Sequence, residues 1–256
     1  MPRGRDDERR HRHTRGRRDP LPIWAREDRN AARRGRGRAA QGLTRDDVIR
    51  AALEVADAGG FEAVSMRNVA QRLGVGTMTL YSYVSSKDDL LDLMFDEVMR
   101  ELHLPEPLPA DWRQALIELS RRTREVWLRH PWLVSSIGER SSFGPNSMRH
   151  AEQSLEAVSG LGLEGPEAFV VLAAVDDYAL GHSMRQLSQQ AALDREGIDA
   201  DEWRQAMEPY WRDMIATGEF PRLAKMVDTE WDLMNEERFE LGLQWILDGI
   251  AARYER

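Results

Sequence analysis

The chain has 256 residues, no cysteine and a formal net charge of −8, which excludes disulfides, a thiolate nucleophile and cysteine-bound metals. No apolar run approaches the roughly 18–20 residues of a membrane span, and the N-terminus lacks the apolar region of a signal peptide. Residues 1–41 hold 14 Arg against 6 acidic residues, while residues 42–256 hold 22 basic against 38 acidic residues. A uniformly basic nucleic-acid binder is therefore excluded, and any contact with DNA must use a local patch.

The first 41 residues form an Arg-rich segment in which Leu21, Ile23 and Trp24 are the main apolar side chains. Low hydrophobicity combined with high charge is typical of disorder, so we predict a disordered arm over residues 1–41. Two interpretations stay open: a solvated tail, or an arm that neutralises DNA phosphates or enters the minor groove. The arginines nearest the first predicted helix are Arg33, Arg34, Arg36 and Arg38.

Residues 42–103 predict a unit of four short helices. The first covers about residues 44–58, because Thr44 and Asp47 have capping-box-like spacing and a glycine pair follows Ala58. The second begins after the N-cap Ser65 and ends at Gly74, since glycine tolerates the left-handed conformation that ends helices. Its buried face carries apolar residues at i, i+3, i+4 and i+7, which are Met66, Val69, Ala70 and Leu73.

The third helix, about residues 76–83, follows a tight turn, and the fourth, residues 86–103, is capped by Ser86. The second and third helices form the helix-turn-helix pattern, in which the later helix, here the third, lies in the DNA major groove. Hydroxyl side chains on the third helix can bond phosphates or base edges, Lys87 can contact phosphate, and Arg67 can reach a guanine. A small capped bundle with ordinary surface residues is the alternative interpretation.

Three prolines in the stretch Leu104–Ala110 predict a domain boundary, because proline cannot continue a helix. Beyond it the apolar periodicity is helical, and no period-two strand pattern or internal repeat is present. We therefore predict an all-α fold of about 9–10 helices, with a helix-turn-helix DNA-binding domain over residues 42–103 and a larger helical domain over residues 104–256. The helices predicted in the larger domain cover residues 112–129, 132–137, 147–161, 166–190, 202–217 and 236–254, with loops at 138–146 and 193–201.

Residues 44–103 closely resemble the DNA-binding domain of tetracycline-repressor-type regulators, through the runs AALEVADAGG, AVSMRNVAQRLGVG and TLYSYVSSKDDLL. The resemblance implies that Thr79, Leu80 and Tyr81 anchor the recognition helix. It also implies that Lys87 contacts phosphate, that Arg67 reads a base, and that Thr77 and Met78 are the variable base-reading positions. Tyr83 stands where the family commonly has a histidine. The predicted DNA-binding set is Thr44, Ser65, Arg67, Thr77, Met78, Thr79, Tyr81, Tyr83 and Lys87.

HPWLV at 130–134, FGPN at 143–146 and LAAVDDYALGHSM at 172–184 resemble the C-terminal domain of the tetracycline-repressor subgroup. The resemblance implies a homodimer through helices 166–190 and 236–254 and an enclosed ligand pocket, whereas residues 193–235 have no clear counterpart. Intramonomer packing is the alternative for these two helices. Those repressors place a metal-binding histidine before the Gly-Pro loop, where the nearest residue here is Arg140. We therefore expect no metal and doubt that a magnesium–tetracycline chelate is the ligand.

Eight tryptophans in a helical chain predict a roomy, apolar effector site. Packing in an ordinary core is the alternative for each candidate. Asp176 and Asp177 interrupt an apolar run, where a carboxylate faces a pocket, a dimer axis or solvent. The candidate lining is Trp127, Trp132, Phe143, Met148, Phe169, Asp177, Tyr178, His182, Trp203 and Trp211.

None of the motifs HExxH, P-loop, GxGxxG or GxSxG is present, so we predict a protein that is not an enzyme and has no cofactor. The patterns together predict a dimeric transcriptional repressor that leaves a palindromic double-stranded operator when a small apolar effector binds. A regulator without such an effector, acting as an activator or gated by a protein partner, is the alternative. We expect the protein in the bacterial cytoplasm, on the nucleoid when bound to DNA, without a membrane partner.

Overall fold

The computed structural model describes residues 23–24, 42–136, 144–163, 165–226 and 236–254. The described residues form ten α-helices and three short 3-10 helices, and they contain no strand, so the predicted all-α class is confirmed. No single helix among them combines the length and hydropathy of a membrane span; a bent pair, the two helices over Pro145–Leu161 and Gly165–Glu196, reaches that composition only when taken together. The α-helices are α1 (Arg45–Gly59), α2 (Met66–Leu73), α3 (Thr77–Leu80), α4 (Lys87–Glu101), α5 (Trp112–Arg129), α6 (Leu133–Ser136), α7 (Pro145–Ala157), α8 (Gly165–Glu196), α9 (Ala200–Ala216) and α10 (Glu236–Tyr254).

Helices α1–α4 pack around one apolar core, with Leu80, Leu90 and Met94 fully buried at its centre. The three predicted caps are formed. Thr44 and Asp47 complete a capping box at the start of α1, and the Ser65 and Ser86 hydroxyls accept from backbone N–H groups at the starts of α2 and α4. These side chains satisfy donors that the first turn of a helix leaves without a partner. The local sequence therefore determines where three of these helices begin.

A second core lies between α5, α7, α8 and α10, with Leu116, Ala179 and Phe239 among its buried residues. Helix α5 packs along α8, and α10 packs on α8 as well. No residue of α9 is buried. The two cores meet at the end of α5. Val126, in the last turns of α5, and Trp132 and Leu133, just after it, belong to the core of α1–α4.

Several predicted boundaries are wrong. The recognition helix is only α3, and Tyr81–Tyr83 form a turn in which Ser82 and Tyr83 donate to the Thr79 and Leu80 carbonyls. Helix α8 continues to Glu196, into the predicted loop at 193–201, because Leu193 is buried and the chain turns only at Gly197, with φ 70°. Helix α7 begins earlier than predicted and gives way to a 3-10 turn at Ser159–Leu161.

The prediction of a wholly disordered arm is wrong at Ile23 and Trp24. Ile23 is buried in the core of α1–α4, and Trp24 packs against that core. The rest of residues 1–41, including the four arginines near α1, lies outside the described residues, as do Phe143 and Arg140. Ile23 and Trp24 thus pack on the protein although the sequence around them is polar and charged.

Candidate nucleic-acid interface and effector domain

The helix-turn-helix is held by contacts on both sides of its turn. Gly74 adopts the left-handed conformation with φ 68°, and the Val75 N–H donates to the Ala70 carbonyl at 3.0 Å. Leu80 and Val84 bury the inner side of α3 and its following turn. Arg45, which the sequence patterns did not single out, donates from Nε and Nη2 to the Tyr83 carbonyl at 3.3 and 3.2 Å. This arginine fastens the end of the recognition turn to the start of α1.

Several residues of the predicted DNA-binding set are exposed. Met78 is 79% exposed and Tyr81 is 48% exposed, while Arg67 and Lys87 are exposed on the flanking helices. Thr77, Thr79 and Tyr83 are half-buried. A recognition surface needs side chains that reach beyond the backbone, and these residues supply a thioether, a phenol and two cations.

Thr44 and Ser65 are engaged as caps. Their oxygens accept from the N–H groups of Asp47 and Asn68 at 3.2 and 3.1 Å. The Thr44 hydroxyl and backbone N–H donate in turn to the Asp47 carboxylate, at 2.6 and 2.9 Å, and these bonds lower the pKa of Asp47 from its ordinary value. Any DNA contact by these two residues must therefore come from an oxygen lone pair or backbone group that the cap leaves available.

Charge on this unit is arranged unevenly. Arg72 Nε lies 2.6 Å from Glu54 Oε2, whereas Arg67 and Lys87 make no ion pair within the described part of the chain. An exposed cation that is not neutralised locally can replace the counterions of a phosphate. Arg67 and Lys87 are therefore the two best-placed charges for contact with a nucleic-acid backbone or base.

A hydrogen-bonded network joins this unit to the larger domain. Asp57 Oδ1, at the end of α1, accepts from Trp132 Nε1 at 2.7 Å and lies 2.7 Å from His130 Nδ1. On its other side, His130 Nε2 lies 3.3 Å from Glu101 Oε1, and Arg129 donates to Glu101 Oε2 at 2.6 Å. Because His130 and Trp132 are buried, their polar groups depend on these partners. The two units are thus tied by directional bonds, in addition to apolar packing.

Inside the larger domain an aromatic and polar cluster lies between α5, α8 and α10. Phe239 stacks on Tyr178 with centroids 5.6 Å apart and meets His182 edge-on at 5.2 Å. The Arg124 guanidinium lies 5.3 Å from the Phe239 centroid and donates to Gln186 Oε1 at 3.0 Å. Aromatic rings, a cation and an amide thus meet at one place in the core of the larger domain.

The predicted pocket residues do not come together at one place. Tyr178 and His182 belong to the cluster just described, which Arg124, Gln186 and Phe239 complete, although no sequence motif marks those three. Trp127 and Trp132 pack on the core of α1–α4, where the Trp132 ring stacks on Phe61 with centroids 6.3 Å apart. The remaining candidates are a Trp203–Trp211 ring pair at 5.4 Å on α9, and the exposed Met148, Phe169 and Asp177. Among the described residues no group of three or more His, Asp or Glu side chains is arranged to hold a metal ion.

Helices α8 and α10 share an apolar outer face. Phe169 and Val170 on α8 are 59% and 68% exposed, and Leu241 and Trp245 on α10 are 48% and 67% exposed. A groove of about 500 Å³ between the two helices is lined by Val170, Ala174, Ile246, Gly249 and neighbouring residues. An apolar patch of this kind marks an interaction surface.

Two neighbouring carboxylates, those of Asp176 and Asp177, lie on α8. Although the Asp176 side chain is exposed on the single chain, the protein atoms crowded around it, and then the charge of Asp177, raise the pKa of its carboxyl to about 6. A carboxyl with this pKa changes charge close to neutral pH.

Comparisons with known proteins agree with this architecture. A family model for bacterial regulatory proteins of the tetR family matches residues 48–94, and one for the Tetracyclin repressor-like C-terminal domain matches residues 104–254. The chain is 41% identical over 214 residues to the HTH-type transcriptional repressor DrrR1 of Streptomyces coeruleorubidus, covering 81% of this chain and 77% of that protein. It is 30% identical over 242 residues to an HTH-type transcriptional regulator of Saccharopolyspora erythraea, covering 91% and 92%. Among solved structures, ActR of Streptomyces coelicolor in complex with actinorhodin is 32% identical, with a TM-score of 0.69 over 84% of this chain and 98% of that chain.

Proposed function

This chain belongs to the tetracycline-repressor family of bacterial transcriptional regulators, and from that premise we propose how it recognises DNA and what releases it. It is a ligand-responsive, DNA-binding regulator. We propose a repressor that occupies a palindromic operator in the bacterial cytoplasm and dissociates when a small, largely apolar molecule binds the larger domain. The observation that carries the DNA-binding part is the exposed set Met78, Tyr81, Arg67 and Lys87 on a rigidly capped helix-turn-helix.

The proposed contacts divide into two kinds. Arg67, together with Thr77 and Met78, reads base edges, whereas Lys87 and the Tyr83 phenol contact phosphates. Thr79, Leu80 and Tyr81 hold the recognition helix in position, with Leu80 completely buried. Base contacts affect cognate sites more than random DNA, while phosphate contacts affect both alike.

The test compares Arg67→Ala with Lys87→Ala on a duplex selected from a random library by the protein itself. We expect Arg67→Ala to lose about 10-fold or more in affinity for the selected duplex, with relaxed preference at one base position. Lys87→Ala should weaken selected and random duplexes alike and reduce the slope of affinity against salt. Identical losses on both kinds of DNA for both variants would contradict the assigned roles. Glu54→Ala, which changes an exposed charge on α1, is the control.

The proposed dimer pairs the outer faces of α8 and α10 of two copies around a two-fold axis. Phe169, Val170, Leu241 and Trp245 support this arrangement, because a twofold interface needs one self-complementary apolar patch. Two copies place two recognition helices on the half-sites of a palindrome. Dimer formation also offsets the weak electrostatics of a unit whose net charge is unfavourable for DNA.

The proposed effector binds beside the cluster of Arg124, Tyr178, His182 and Phe239, without a metal. Its effect requires different affinities for the DNA-competent and released states. A thermal-shift and operator-release screen, with actinorhodin and other aromatic molecules as probes, tests this assignment. We expect at least one compound to stabilise the protein and lower operator affinity, and we expect Arg124→Ala to weaken that response without changing DNA binding. If no compound does either, a regulator gated by a protein partner becomes the better interpretation.

A further inference from the structure

Ile23 and Trp24 of the N-terminal segment are packed into the protein. Ile23 retains only 3% of its exposure within the core of α1–α4, and Trp24 packs beside that core. Ile23 is buried and Trp24 is half-buried, and removing this apolar surface from water favours docking. These two residues are therefore held at a defined place on the protein.

That place is the contact between α4 and α7. Trp24 borders Gly144, the residue before α7: a Cβ on this glycine would lie 2.7 Å from the Trp24 Cζ2 atom. The same Cβ would collide with the carboxylate of Asp96 on α4. The indole ring, the glycine backbone and the carboxylate thus meet at one point.

Asp96 is the residue that joins the two helices. Its carboxylate, 5% exposed on α4, accepts from the backbone N–H of Asn146 at 3.0 Å and of Ser147 at 3.1 Å, both in the first turn of α7. The Asn146 side-chain amide donates to the Asp96 carbonyl at 3.1 Å. Gly144 has no side chain to cap α7, so a carboxylate from the DNA-binding unit performs the cap of an effector-domain helix.

We propose that Ile23 and Trp24 form an intrachain anchor that docks on the α4–α7 contact only while Asp96 caps α7. The docked anchor and the capped helix stabilise each other, because the Gly144 backbone borders the Trp24 ring in the arrangement in which Asp96 caps α7. By linkage, any ligand that displaces α7 from Asp96 also releases the anchor, and release of the anchor makes that displacement easier. The N-terminal segment is then a regulatory element of the junction between the two domains.

The absence of cysteine from the chain permits a single-thiol test in the full-length protein. Ile23→Cys places one thiol in the anchor, and Ala110→Cys, at an exposed position, supplies the reference rate of maleimide labelling. We expect labelling at position 23 to be slower than at position 110 by about 10-fold or more, since only local opening exposes it. Adding Asp96→Asn should speed labelling at position 23 by about 3-fold or more, without changing the rate at position 110.

Asp248→Asn is the control for the same chemical change, because Asp248 pairs with Arg113 at 3.0 Å between α5 and α10 and not with α4 or α7. It should leave labelling at position 23 unchanged. Equal rates at positions 23 and 110 would overturn the docked anchor. Labelling at position 23 that ignores Asp96→Asn would overturn its coupling to the cap.

Ile23→Cys could itself weaken the docking of the anchor. A double-mutant cycle on thermal stability avoids this problem, because it keeps Ile23. If Trp24 and Asp96 are coupled, the losses of melting temperature caused by Trp24→Ala and Asp96→Asn should be less than additive in the double variant. The losses from Trp24→Ala and Asp248→Asn should add. Additive losses in both cycles would show that Trp24 only fills the core, and would refute the proposal. Where Asp96→Asn folds poorly, Asn146→Ala removes one donor of the same cap and keeps the carboxylate.

Discussion

Asp57→Ala should destabilise the protein far more than removal of an exposed carboxylate from the surface of the same helix. Asp57 Oδ1 accepts from Trp132 Nε1 and faces His130 Nδ1, both at 2.7 Å. Trp132 and His130 are only 3% and 4% exposed, so the substitution leaves two donors that water reaches poorly. At about 1–3 kcal/mol for each of the two unsatisfied buried donors, the expected loss is about 2–6 kcal/mol. For a chain of this size that corresponds to a fall in melting temperature of about 4–24 °C.

Glu54→Ala is the matched control for this experiment. Glu54 lies three residues earlier on α1, and its ion pair with Arg72 at 2.6 Å is exposed on both sides, with 45% and 59% of the side-chain surfaces accessible. Such a pair contributes about 0–1 kcal/mol. Differential scanning calorimetry of both variants measures the contrast, and Trp132→Phe should recover part of the Asp57→Ala loss, because it removes a stranded donor. Equal, small losses for Asp57→Ala and Glu54→Ala would show that the network does not join the two domains.

Two further predictions concern the face of α8 and α10. The pKa of Asp176, raised to about 6 from an ordinary 3.8, means that the folded protein holds a proton which the unfolded chain has already released. The contribution of Asp176 to stability is therefore fully present below about pH 4 and is lost as the pH rises through 6. Asp176→Asn should accordingly raise the melting temperature at pH 7.5 and raise it less at pH 4.5, and an equal gain at both pH values would argue against this cause. Trp245→Glu should convert a dimer into a monomer in sedimentation velocity, because it places a charge in an apolar interface. Leu223→Glu, at a 44% exposed position outside α8 and α10, should leave the dimer intact, and a dimer that survives Trp245→Glu would rule out this face.

The sequence predicted those parts of the fold that short-range chemistry controls. Thr44, Ser65 and Ser86 were identified as caps because a hydroxyl and a free N–H lie within three residues of each other. The length of α8 could not be read in the same way. Its continuation to Glu196 depends on the burial of Leu193, a tertiary contact, and the polar residues around Leu193 resemble a loop.

The candidate sites show the same division. The exposed positions Met78 and Lys87 follow from motif and periodicity, whereas the cluster around Phe239 combines residues of α5, α8 and α10 that lie more than 50 positions apart. Ile23 and Trp24 were recognised as apolar, but a polar context predicts disorder unless a complementary groove is known. Both the cluster around Phe239 and the position of Ile23 and Trp24 depend on packing between distant parts of the chain. Such packing leaves no periodic pattern in a single sequence.

Part of the acidic charge of the DNA-binding unit is explained by its contacts with the larger domain. Residues 42–103 carry 6 basic and 11 acidic side chains, a balance that opposes approach to phosphates. Three of the acids are occupied elsewhere: Asp57 and Glu101 face His130, and Asp96 caps α7. Their charges are partnered by donors of the larger domain, while Arg67 and Lys87 remain exposed. In the proposed mechanism, DNA affinity and communication between the domains rest on separate residues, so a substitution at Asp57 or Asp96 should change the response to an effector more than the salt dependence of DNA binding.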